Sequence, residues 1–177
     1  RRNVLLTHQF VTGAVRSDSE EVSVGGTDNV DGAVFDCFDY VALGHIHNAQ
    51  HCSRESVRYC GTLLKYSFSE VNHIKSITVV ELKEKGQNPQ IHTVPVTPLH
   101  DMREIKGSYE ELTFRKNYMN TAVNDYLHIT LTDEEDIPDA ISRLRSIYPN
   151  IMRLDYDNIR TRNSGSLEIG EAVVERT

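Results

Sequence analysis

Tryptophan is missing from this chain, and cysteine appears only three times, at Cys37, Cys52 and Cys60. An odd number of cysteines without CxxC spacing argues against a disulfide framework and fits a reducing, cytoplasmic setting. No apolar run approaches the roughly 20 residues that a membrane-spanning helix needs, and no signal-peptide pattern is present, so no membrane contact is expected. No GxxxxGK[ST] segment occurs, which excludes a phosphate-binding loop of that type in this chain. Positive charge is also short. Lys and Arg number 19 against 26 Asp and Glu, for a net charge of −7. Phosphate affinity comes mainly from clustered cations, so the chain alone is not a general nucleic-acid binder. A local basic groove, or a partner that supplies one, stays open.

What is present suffices for one good core and a second, smaller one. Asn3 to His8, NVLLTH, reads as a short buried strand ending on a histidine. The chain runs into that strand from Arg1-Arg2 with no lead-in, and is expected to be a piece of something longer. Ser17 to Asn29 is polar and glycine-containing, loop-like with room for one short strand. Val30 to Phe38, VDGAVFDCF, has helical apolar spacing, with Asp28 or Asn29 as N-cap. Tyr40 to Leu43, YVAL, is a second buried strand, stopped by Gly44. Strand, helix and strand in this order indicate layered α/β packing.

Val57 to Cys60 and Ser76 to Leu82 read as further strands, with a glycine turn between them. Lys83 to Gln90 is a turn, and Ile91 to Val96 answers it as a hairpin partner that Pro95 keeps at an edge. Residues 98–107 become polar and are expected to be a connector. Beyond it, Ser108 to Tyr118 could hold a short helix, and Asp125 to Asp133 alternates as a half-buried strand. Ile137 to Pro149 has one apolar helical face, with Asp136 as cap and Pro138 in the first turn. Ile151 to Asp157 alternates again. Residues 159–177 are polar and read as an extension.

Chemistry concentrates in VALGHIHNAQHC, Val41 to Cys52. His45 and His47 follow a strand and a glycine that frees the backbone to bend, so two imidazoles can enter one crevice. His8 ends another strand. If the two strands are parallel neighbours, all three rings meet at the sheet edge where α/β sheets bind ligands. His8, His45 and His47 are therefore the candidate metal ligands, fitting either a mononuclear zinc site or part of a two-metal phosphate clamp. His51 and Cys52 match no zinc-ribbon or finger spacing and read as loop residues. His73, His92, His100 and His128 lack a partner pattern, and the spacing of Asp36 and Asp39 does not recommend them as ligands.

LLTHQF, VGGTDNVDGAVFDCFDYVALGHIH and YCGTLLKYSFSE, in that order, resemble the SbcD nuclease-subunit family of the calcineurin-like metallophosphoesterases. GHxH alone marks the superfamily; FDYVALGHIH and SFSE point to the subfamily. PLHDMREIKG and LTDEEDIPDAISRLRSIYPNIM extend the likeness to about residue 158. Cys60 stands where the family pattern suggests a small residue such as Ser.

The resemblance implies the second half of a layered metallophosphoesterase sheet sandwich over residues 1–97, and a small strand–helix–strand capping domain over 108–158. It implies a manganese-dependent nuclease that cuts double-stranded DNA ends and hairpins in DNA repair, replication and recombination, with magnesium as the alternative ion. An SbcC-type ATPase would hydrolyse ATP, and the parent could be a homodimer. By the same resemblance, His8 and His45 belong to the second of two manganese ions and His47 to the first. A water or hydroxide bridging the ions would attack the DNA phosphorus. The early family motifs (D-x-H, GD and Asn-His) do not occur before His8, so the remaining ligands and the catalytic histidine fall outside this sequence. The expectation is an inactive fragment. The alternatives are another metallophosphoesterase, acting on phosphomonoesters or cyclic nucleotides, and a non-catalytic assembly module.

Overall fold

A computed structural model describes residues 1–18, 20 and 29–162. It is mixed α/β, with several sheets and few, short helices. The chain divides into two compact units, Arg1–Leu99 and His100–Thr177.

The first unit is built on β1 (Val4–His8), with β2 (Phe10–Val11) and β3 (Asn29–Val30) forming a small parallel pair beside it in sequence. β4 (Tyr40–Gly44), β5 (Gln50–Cys52) and β6 (Arg54–Tyr59) complete a four-stranded sheet in the order β1-β4-β6-β5. β1, β4 and β6 run parallel, and β5 is an antiparallel edge. Central β4 carries the apolar run that a strand covered on both faces requires. Val41, Leu43, Ile46, Val57 and Tyr59 pack with Val11 and Phe35 into one core. β7 (Ser76–Glu81) and β8 (Gln90–Pro95) form an antiparallel hairpin, with Pro95 at the strand end.

Several expectations change. β1 lies at a sheet edge, so Val4 and Leu6 are exposed, Leu6 at 77%. The helix expected over Val30 to Phe38 is a single 3-10 turn, Gly32–Phe35, capped by Asp31, whose side chain accepts from Ala33 N. Val30 belongs instead to β3, and Arg54 donates to the carbonyls of Phe35 and Phe38, closing the turn too early for a helix. His51 and Cys52 are in β5 rather than a loop, and Cys52 is buried in the core. Asp28, and most of the loop expected from Ser17, lie outside the described residues, as does most of the expected C-terminal extension.

The second unit holds β9 (Met102–Gly107), β10 (Tyr126–Leu131) and β11 (Ile151–Tyr156), a parallel sheet with β10 central. β9 occupies the stretch expected to be a connector. Its charged side chains hide the strand pattern because they fall on both faces of β9: Lys106, on the face with Glu104, pairs with Asp157, and Arg103, on the face with Ile105, pairs with Asp125. α1 (Tyr109–Thr113) opens on a capping box between Ser108 and Glu111, and α2 (Arg115–Tyr118) follows. α3 (Ala140–Arg145) is shorter than the apolar spacing suggests. It starts at Asp139, held at φ 52° with no side-chain cap bond, rather than at Asp136. Leu127, Ile129, Leu131, Leu144 and Tyr148 form this unit's core.

Candidate metal centre

The parallel pairing of β1 and β4 sets His8 opposite Gly44. Both strands point the same way, so the residues leaving them emerge at one edge, and the His8 and His45 rings meet edge to face with centroids 5.3 Å apart. Phe10 stands 6.3 Å from His45 in a similar arrangement. Ile46 is buried in the core between the two histidines of the GHIH turn. That buried anchor fixes the turn. His45 has φ 109°, a conformation that side chains rarely adopt and that the surrounding structure must impose.

His47 is gripped from several sides. Its backbone N–H donates to the Glu20 carboxylate, whose other oxygen accepts from Ser17 N at 2.8 Å. Its carbonyl accepts from Thr62 N at 3.1 Å and Lys75 Nζ at 3.0 Å. Gly61, at φ 75°, allows this approach, because a Cβ there would stand 2.8 Å from the His47 carbonyl oxygen. The ring Nδ1 lies 2.9 Å from Glu70 Oε1, and Tyr66 leans against the ring at 5.8 Å. Glu70 is fully buried, and its second oxygen pairs with Lys75 Nζ at 2.6 Å.

Tyr59 ties the strand that carries His8 to the sheet. Its buried hydroxyl donates to Gln9 O at 2.7 Å and accepts from Val11 N at 2.8 Å. Burial raises its pKa, and burial does the same for the Cys52 thiol, keeping that sulfur inert. His51 is exposed and Cys60 Sγ contacts only the Gly61 carbonyl among the bonds described.

The structure thus brings His8 and His45 into ring contact and fixes His47 separately. Among the described residues, no three His, Cys, Asp or Glu side chains converge into a group that could hold a metal ion. The donors suit part of a divalent-metal site: two adjacent imidazoles, and a third with an outer carboxylate on its ring. Imidazole by itself does not select manganese, which favours added oxygen donors.

Comparison with known proteins matches residues 98–175 to the SbcD C-terminal domain profile, described as the type 5 capsule protein repressor C-terminal domain. The SbcD protein of the nuclease SbcCD from Staphylococcus epidermidis is 37% identical over 153 residues, which is 86% of this chain and 40% of that protein. By these two likenesses the chain resembles the SbcD family over most of its length. It spans well under half the length of this curated SbcD relative.

Glu70, Glu20 and Tyr59 escape the sequence reading. Ser67-Phe68-Ser69-Glu70 has capping-box spacing, which would leave Glu70 at a helix start in water. Ser67 does cap, accepting from Ser69 N, but Glu70 turns inward to Lys75 and His47. The usable signal is the acid–base pair five apart, at Glu70 and Lys75, just before a strand. His128, read as partnerless, bridges Glu104 and Asp155 across its own sheet at 2.9 and 2.8 Å.

Proposed function

We propose that this chain supplies the His8, His45 and His47 part of the active site of a manganese-dependent DNA nuclease, and that its first unit is the second half of a metallophosphoesterase sheet sandwich. The observation that carries this reading is the β1–β4 register, which delivers His8 and His45 side by side at the C-terminal edge of a parallel sheet. His8 and His45 would hold one ion and His47 the other, with magnesium as the alternative ion. When bound, such ions polarise a phosphodiester and lower the pKa of water for attack. The chain's own part is placement: Ile46 anchors the turn, Tyr59 fixes the backbone after His8, and Glu20 and Lys75 fix the backbone of His47.

The remaining ligands and the proton donor would come from outside this chain. In this reading the second unit is the family's capping domain, the substrate is double-stranded DNA ends and hairpins, and an SbcC-type ATPase is the partner. The setting would be cytoplasmic DNA repair and recombination. No helix among the described residues is long and apolar enough to cross a membrane.

The test is cleavage of a linear duplex and a hairpin by the full-length parent, with and without manganese. The expected result is metal-dependent cutting that His47→Ala abolishes while the protein stays folded. Turnover of p-nitrophenyl phosphate with none on DNA would replace this reading by that of a phosphomonoesterase. The 177-residue chain alone is expected to be inactive and to bind manganese weakly.

A further inference from the structure

Backbone bonds to Glu20, Thr62 and Lys75 fix the main chain of His47, so its ring rotation and the position of its proton are the freedoms that remain. Glu70 removes both. We propose that Glu70 is a positioning residue that holds His47 as the Nδ1–H tautomer and thereby presents the lone pair on Nε2 for metal ligation. Lys75, a pure donor, takes one Glu70 oxygen at 2.6 Å, so the carboxylate meets the ring as an acceptor and Nδ1 must donate. Neutral imidazole carries one proton, and with it on Nδ1 the acceptor atom is Nε2. The full burial of Glu70 excludes competing water and makes this contact decide the tautomer. The metal half of this proposal rests on His47 being a ligand; the tautomer half does not.

Glu70→Gln makes a distinctive test, since it keeps the shape. Lys75 can only donate, so it claims the amide oxygen and turns the amide NH2 toward His47. Nδ1 then becomes an acceptor, the proton moves to Nε2, and the lone pair is lost to a metal. Two-bond nitrogen–proton spectra of 15N-histidine-labelled protein, at pH about 8 where imidazole is ordinarily neutral, report the tautomer directly. The expected result is Nδ1–H in the wild type and Nε2–H in Glu70→Gln. A wild-type Nε2–H signal, or a folded Glu70→Gln with unchanged tautomer, overturns the proposal. If Glu70→Gln fails to fold, the wild-type spectrum alone decides. In the full-length parent, Glu70→Gln should weaken manganese binding about 10–100-fold by calorimetry, with Glu70→Asp restoring part of it. A wild-type parent that shows Nδ1–H at His47 but no manganese broadening of that ring overturns the ligand role and leaves the tautomer assignment standing.

Discussion

Gly44 faces His8 across the β1–β4 ladder so closely that a Cβ at position 44 would stand 2.9 Å from His8 Nδ1. The atom in the way belongs to an exposed side chain, and Gly44 is not among the positive-φ glycines, so its backbone admits alanine. Gly44→Ala is therefore expected to turn the His8 ring aside at little cost to folding, within roughly 1 kcal/mol. The melting temperature should barely move while the His8–His45 ring contact disappears. Histidine chemical shifts read the contact, and manganese affinity of the full-length parent should fall with it. Unchanged His8 and His45 shifts would show that the ring is not held where the register places it.

Tyr59→Phe removes a hydroxyl that serves two backbone groups at once, Gln9 O and Val11 N. Val11 is fully buried, so its N–H finds no ready replacement in water. The expected loss is about 1–3 kcal/mol, the cost of leaving buried polar groups unpaired. Denaturant melts measure it, and amide exchange at Val11 should speed up more than exchange in β10, which belongs to the other unit.

Acid should weaken the first unit through Asp39. This carboxylate accepts from Asn3 N at 2.7 Å, from Lys85 and from Arg2, and these bonds hold its pKa well below the usual carboxylate range. Asp157 is lowered to about 2, by Arg162 first and then Lys106. A depressed folded pKa means stability that is present above the ordinary value near 4 and lost as pH falls through the folded value. His73 adds an earlier window. Burial, then Lys75, lower its pKa, so the folded state resists its protonation and loses stability as pH drops below about 6.5. Asp39→Asn should flatten the melting-temperature profile below about pH 4, and His73→Gln should flatten it as pH first falls below about 6.5. An Asp39→Asn profile parallel to wild type would remove Asp39 from the account.

Much of this architecture is visible in the sequence, for definite reasons. β4 and β10 announce themselves because a central strand needs apolar residues where its core lies, and both histidines of GHIH stand out because glycine and histidine rarely cluster without a use. β9 stays hidden because charged residues on both its faces answer Asp125 and Asp157, contacts that no local pattern contains. The exposure of Leu6 is equally invisible, since an apolar strand reads the same at a sheet edge as in its centre. Glu70 is concealed by a spacing that fits helix capping. Pairwise chemistry over long sequence distances (Tyr59 with Gln9, Glu70 with His47) defines the candidate site, and periodicity carries no information about it.

His45 offers the sharpest separation of function from folding. At φ 109° it holds a backbone conformation suited to glycine, a strain of order 1–3 kcal/mol. Comparing His45→Gly with His45→Ala isolates that strain, because both remove the imidazole and its contacts with His8 and Phe10. Glycine is comfortable at positive φ and alanine is not. His45→Gly should therefore be the more stable of the two by about 1 kcal/mol or more, despite the greater freedom glycine gives the unfolded chain. Both should bind manganese equally poorly in the full-length parent. If alanine matches glycine in stability, the turn relaxes once the imidazole is gone, and the strain belongs to the side chain's contacts rather than to the Ile46-anchored backbone. If glycine is the more stable, the GHIH turn is set by its core anchor, and a histidine is held there against its own conformational preference.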